Sequence, residues 1–194
     1  MATTVAEQTT GIEVKPLLNL AGKVIAITGA NRGIGLGVAE CCLLNGAAKV
    51  YSIDLAEPGE EFAAASKAFP GRLGSQTANV GDESSISAAI DKIIEESGAI
   101  HGVVANAGRT NHKAALDFTK EEVEALFNVN LFGAFYTARA AARAFIKLGI
   151  KGSVVFTASM ASYRPNKLLT ELLKQGFATW HILSLWNGRS MAFV

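Results

Sequence analysis

The residues best placed to do chemistry begin in the run K-V-I-A-I-T-G-A-N-R-G-I-G-L-G, Lys23 to Gly37. Gly29, Gly33 and Gly35 follow an apolar, β-branched stretch, Val24 to Ile27, and precede a helix-like one, Leu36 to Leu44. That order puts them at a strand-to-helix turn, where a nucleotide phosphate would bind. Gly29 permits the tight turn, and Gly33 leaves no Cβ between the backbone and a pyrophosphate. Gly35 lets the new helix pack close on its strand, and the free N–H groups of the first helical turn face the anion. Asn31, Arg32 and Ile34 complete the loop as candidate cofactor contacts. Asp54 ends the next strand-like run, Lys49 to Ile53, about 20 residues on, where a carboxylate is expected to take up a ribose diol. Glycine clusters are usually plain loops, so it is the strand before, the helix after and the acid beyond that raise this one above a loop.

Further polar residues recur at the ends of later segments. Asn79 and Val80 close the run that starts at Arg72, Asn106-Ala107-Gly108 follows Ala99 to Ala105, and Ser159 closes V-F-T-A-S. Asn130 lies within N-V-N-L-F-G on a helix-like region. Each has a bland reading: a loop asparagine is most often a turn residue, and a serine after a strand is most often a helix cap. Their order along successive segments of one sheet favours a site, because in open parallel sheets ligands sit beyond the carboxyl ends of the strands.

The elements that must position these residues alternate from Leu20 onward. Glu57 to Phe69 reads as a helix and Arg72 to Val80 as a strand. Asp82 caps a helix carrying Ile86, Ala89, Ile90, Ile93 and Ile94 at helical spacing, and Gly98 ends it. Ala99 to Ala105 is a buried strand. Thr119 and Glu122 form a capping box for a long helical region that runs through Leu126, Leu131 and Phe135 towards Phe145, and Ser153 to Ala158 is a fifth strand. Such βα units predict an α/β fold, a doubly wound parallel sheet of Rossmann type, incomplete on its C-terminal side. Residues 1–19 read as a disordered leader, 20–167 as the dinucleotide-binding domain, and 168–194 as an atypical tail.

Composition narrows the function. The 194-residue chain is 49% apolar, enough for one domain with a sizeable core, and its net charge of +1 gives no electrostatic case for nucleic acid or an anionic membrane. Cys41 and Cys42 are adjacent and cannot form a disulfide framework, which is expected of a reduced, cytoplasmic protein. His101, His112 and His181 lack ligand spacing, so no metal site is expected. No signal peptide or membrane span is read from the sequence.

The T-G-A-N-R-G-I-G run resembles the T-G-x-x-x-G-x-G fingerprint of the short-chain dehydrogenase/reductase family, and the resemblance covers Leu20 to Ser159. It implies an NAD(P)-dependent oxidoreductase that interconverts an alcohol and a carbonyl. It further implies that Asn79-Val80 frames the adenine and that the Asn106-Ala107-Gly108 turn steadies the sheet and meets the ribose. Asn130 would then hold a water of the proton relay, and Ser159 would hydrogen-bond the substrate oxygen. For the cofactor, Asp54 favours NAD by repelling a 2′-phosphate, whereas Arg32 would pair with that phosphate and favour NADP. Because Leu55 and not a base follows Asp54, NAD is preferred, with NADP as the alternative.

The resemblance breaks at the acid. The family carries a tyrosine further along the helix after the serine, with a lysine one turn beyond it, and this chain has Glu171, Leu172 and Leu173 there. Tyr163 and Lys167 satisfy Y-x-x-x-K and are the remaining catalytic candidates, but Pro165 opposes a helix that would join them and favours a surface loop. Gly176 interrupts the helical spacing of Leu168 to Trp180, and the family's further strands and substrate-covering loop are not read in the tail. A truncated or alternatively spliced product is inferred, with turnover doubtful, a non-catalytic nucleotide-binding remnant as the alternative reading, and self-association expected.

Overall fold

The computed structural model describes residues 19–111 and 113–159. Five parallel strands form one sheet: β1 (Val24–Thr28), β2 (Lys49–Asp54), β3 (Leu73–Thr77), β4 (Gly102–Ala105) and β5 (Ser153–Phe156). Their order is β3-β2-β1-β4-β5, so the chain winds outward one way from β1, returns, and winds out the other way from β4. This is the doubly wound arrangement, and its strand order reverses between β1 and β4.

Alternation along the strands divides the core into two layers. Val24 and Ala26 of β1 and Tyr51 and Ile53 of β2 point to one face, where Ile86, Ile90 and Ile93 of α3 (Glu83–Ser97) and Ala141, Ala144 and Phe145 of α5 (Ala134–Leu148) cover them. Ile25 and Ile27 point to the other face, where α1 (Gly33–Leu44) supplies Leu36 and Leu43 and α2 (Glu60–Ala68) supplies Phe62. With both faces covered, the central strand is apolar throughout and all five of its residues up to Thr28 are buried.

The helix ends follow local chemistry. The Asp82 carboxylate accepts from the N–H groups of Ser84 and Ser85, and these bonds with the Ser84 hydroxyl hold its carboxyl below the usual range. Gly98 closes α3 with φ +74°. Thr119 and Glu122 complete a reciprocal capping box on α4 (Lys120–Phe127). At the far end of α1 the Arg72 guanidinium donates to the carbonyls of Leu43 (2.8 Å) and Ala47 (2.6 Å), setting a cation where the helix dipole is negative.

Some boundaries move from their sequence expectation. The strand expected over Arg72 to Val80 stops at Thr77 because its partner β2 ends at Asp54. The Asn79 carboxamide oxygen then accepts from the Gly81 N–H at 3.0 Å and turns the chain. The helix expected from Leu36 already starts at Gly33. The long helix expected after Thr119 is broken by a π-helical turn, Asn128–Gly133, between α4 and α5. There the helix crosses the third-strand turn so closely that a Cβ on Gly133 would lie 2.8 Å from Val80 Cγ2. Among the described residues no helix is long and apolar enough to cross a membrane.

Candidate functional site

A cleft of about 780 Å³ opens over the carboxyl ends of the strands, around the point where the strand order reverses. Its lining draws Gly29, Arg32, Gly33, Ile34 and Gly35 from the β1–α1 turn, Ile53 and Asp54 from β2 with Leu55 just beyond it, and Ala78, Asn79 and Val80 from beyond β3. Asn106 to Thr110 after β4, Val129 and Asn130 on the π turn, and Thr157 to Ser159 after β5 complete it.

The three glycines do different work. Gly29 has φ +66°, and a Cβ there would come within 2.8 Å of Ala107 Cα, so both its conformation and its neighbour exclude a side chain. A Cβ on Gly35 would lie 2.3 Å from the Gly29 carbonyl oxygen and 2.7 Å from Asn106 Nδ2; the helix therefore sits directly on the strand end. At Gly33 nothing lies within 4 Å of that position, and this is the open side of the turn. The extended residue before α1, Arg32, gives no side-chain cap, so the first-turn N–H groups lack that partner.

Thr28, fully buried at the end of β1, ties this turn to the next wall. Its hydroxyl accepts the N–H groups of Asn106 and Ala107, both at 3.0 Å, and donates to the Val104 carbonyl at 3.4 Å. The Asn106 carboxamide returns two bonds, to the carbonyls of Thr28 (3.0 Å) and Gly29 (3.1 Å), and its oxygen accepts from the Thr157 hydroxyl. Strands β1, β4 and β5 are thereby joined at the cleft floor.

Asp54 is held by main chain on both oxygens: the Asn31 N–H donates to Oδ2 (3.2 Å) and the Ala56 N–H to Oδ1 (3.3 Å). Asn31 is buried behind the cleft and is not part of its lining. Its Nδ2 donates to the Ala56 carbonyl at 2.6 Å, closing a ring around the carboxylate.

Asn130 forms a similar clamp. Its Oδ1 accepts the Arg109 N–H at 2.8 Å and its Nδ2 donates to the Arg109 carbonyl at 2.9 Å. The loop that follows is fastened by Glu122, whose carboxyl the Lys113 ammonium and the Thr119 N–H hold below the usual range.

The structure thus gathers thirteen of the sequence candidates around one cleft, Gly29, Arg32, Gly33, Ile34, Gly35, Asp54, Asn79, Val80, Asn106, Ala107, Gly108, Asn130 and Ser159. Asn31 stands behind it, and Tyr163 and Lys167 lie outside the described residues. Sequence reasoning missed the Thr28 and Thr157 hydroxyls and the lining role of Arg109, although all three stand beside motif residues. Among the described residues no cluster of histidine, cysteine or carboxylate groups fits a metal ion.

Comparison with known proteins agrees with this arrangement. The pattern described as short chain dehydrogenase matches residues 23–171. The chain is 32% identical over 146 residues to a 2-dehydro-3-deoxy-D-gluconate 5-dehydrogenase of Dickeya dadantii, covering 75% of this chain and 57% of that protein. It is 36% identical over 149 residues to an acetoacetyl-CoA reductase of Synechocystis, covering 77% and 58%. The chain therefore spans less than two thirds of these curated relatives. A solved short-chain type dehydrogenase/reductase from Mycobacterium marinum superposes with a TM-score of 0.76 at 29% identity, covering 84% of this chain and 67% of that one. From its β1–α1 glycine turn to the end of its fifth strand, the chain belongs to the short chain dehydrogenase family of oxidoreductases.

Proposed function

We propose that the cleft is a nicotinamide dinucleotide site, NAD preferred and NADP the alternative, in a cytoplasmic oxidoreductase that interconverts an alcohol and a carbonyl. The observation that carries the reading is the pairing of an open, uncapped helix N-terminus at Gly33 with the Asp54 carboxylate one strand away. The first suits a pyrophosphate. The second, with both oxygens fixed by N–H groups and lone pairs to spare, suits a ribose diol and repels a 2′-phosphate. Asn79 and Val80 would border the adenine, and the 106–108 turn the second ribose.

When bound, the nicotinamide gives or takes a hydride. Ser159 would then orient the substrate oxygen. Asn130, with its side chain committed to Arg109, would contribute through its main chain on the π turn, a deviation common at functional positions. Binding rests on the described residues; for proton transfer the remaining candidates are Tyr163 and Lys167, which Pro165 separates in the sequence, so the reaction is that of the lineage and turnover by this chain is expected near background. The two relatives are named as a dehydrogenase and a reductase, in keeping with one reaction run in either direction.

The test is ligand-linked stability. At a hundredfold excess over its dissociation constant NAD adds about 2.7 kcal/mol, which raises the thermal midpoint of a chain this size by about 5–10 °C. Asp54→Ala should weaken that shift and ease NADP binding. A larger shift with NADP on the unmutated chain reverses the cofactor choice, and no shift with either nucleotide overturns the site.

A further inference from the structure

Two cations line the cleft, and one of them, Arg109, has no part in the cofactor reading. Arg32, Asp54 and Arg109 are its ionisable lining residues. Arg32 and Asp54 belong to the half of the cleft that the cofactor reading uses, beside the N-terminus of α1 and on β2. Arg109 belongs to the other half. It lies in the loop after β4, which stands two strand positions from the β2 that carries Asp54, and Ser159 follows the adjacent strand β5.

Of the cations that follow Arg109 in the chain, Lys113 pairs with Glu122, and Arg139 and Arg143 pair with Glu83. Among the described residues no carboxylate lies within ion-pairing distance of the Arg109 guanidinium. Arg109 is exposed, yet its main chain is fixed, because the Asn130 carboxamide accepts its N–H and donates to its carbonyl. A fixed backbone carrying an unpaired guanidinium in the same cleft lining as Ser159 can receive an anionic oxygen, and the planar guanidinium matches a carboxylate through two parallel bonds.

We infer that Arg109 is a specificity-determining residue, and that the substrate is an oxo acid or hydroxy acid whose carboxylate pairs with it while the reacting oxygen meets Ser159. The inference rests on the cofactor reading above and assigns the substrate class that reading leaves open. The other source of the same chemistry, a pyrophosphate oxygen of the cofactor, is separated by experiment.

The probes are levulinate, a ketone bearing a carboxylate, and its methyl ester, which has the same chain without the charge. Each is titrated by calorimetry into NADH-saturated and cofactor-free protein, unmutated, Arg109→Gln and Arg109→Lys. Both substitutions leave the Asn130 bonds in place, and unchanged thermal midpoints check the fold. Levulinate should outbind the ester on the unmutated chain by about ten- to a hundredfold, the range of a charge-assisted hydrogen bond. That preference should vanish in Arg109→Gln and return in part in Arg109→Lys, with NADH affinity constant within about twofold. Equal binding of the two probes overturns the inference, as does a loss of NADH affinity in Arg109→Gln that matches the loss of levulinate. If NADH fails to bind, the cofactor reading falls, while the cofactor-free titration still decides Arg109: levulinate uptake indifferent to the substitution overturns it.

Discussion

Replacing Thr28 by valine keeps the shape of a fully buried side chain and removes one oxygen. That oxygen accepts two backbone N–H groups, from Asn106 and Ala107, each at 3.0 Å, in a position 1% exposed. A buried donor left unpaired costs about 1–3 kcal/mol. The Asn106 N–H keeps the Val104 carbonyl at 3.1 Å, so only the Ala107 N–H loses its partner; Ala107 is half-buried and water entering from the cleft reduces the penalty, so the lower part of the range applies. The cost is about 1–2 kcal/mol, or a fall in midpoint of about 2–8 °C. Thr28→Ser, which retains the oxygen and loses one methyl group, should cost about 1 kcal/mol. Urea unfolding of the three proteins at fixed slope measures the difference. A valine variant at least as stable as the serine variant would refute the claim that this hydroxyl joins β1 to β4.

Three other outcomes are expected. Val24 donates its N–H to His101 Nδ1 at 3.1 Å, and burial, then the Lys23 charge, lowers the His101 pKa. The unfolded chain therefore binds the proton more readily, and stability should decline as pH falls from the unfolded value of about 6.5 towards the lowered folded one; His101→Asn, whose Oδ1 can accept the same bond, should flatten that decline between pH 8 and 5.5. With Pro165 set between Tyr163 and Lys167, turnover of ketones, polyols or sugars is expected near background even with NADH bound. A rate that Tyr163→Phe reduces by about 10²–10⁴ at unchanged NADH affinity would show instead that Tyr163 is the acid. Phe132, 46% exposed, and the neighbouring groove along α4 predict self-association at micromolar concentration, and a clean monomer by light scattering would contradict it.

What the sequence made legible was chemistry that acts over a few residues. The caps at Asp82, Gly98 and Thr119 are set by neighbours within one turn, and the glycine turn is set by strand and helix on either side of it. What it hid depends on partners far away in the chain. The π turn at 128–133 reflects Val80 and Arg109, neither of which alters the helical spacing of its own residues. Residues 78–80 carry strand-like types but leave the sheet because β3 stops where β2 stops, and no local breaker marks Thr77. Asn31 reads as a ligand contact from its place in the loop, yet it is turned inward by Asp54 and Ala56, which lie beyond α1. The family reading came from residue types at strand ends, a pattern that survives small errors in where each strand finishes.

The clamp of Asn130 on Arg109 leaves the cleft lopsided in the hydrogen bonds it can still make. On the β4 side the main-chain N–H groups of Asn106, Ala107 and Arg109 are already satisfied by Thr28 and Asn130, so that wall cannot yield without unwinding the π turn or pulling β4 from β1. On the α1 side the first-turn N–H groups have no side-chain cap, and Ile34 stands 74% exposed beside them. A ligand entering such a cleft meets donors already spent on one side and donors still on offer on the other.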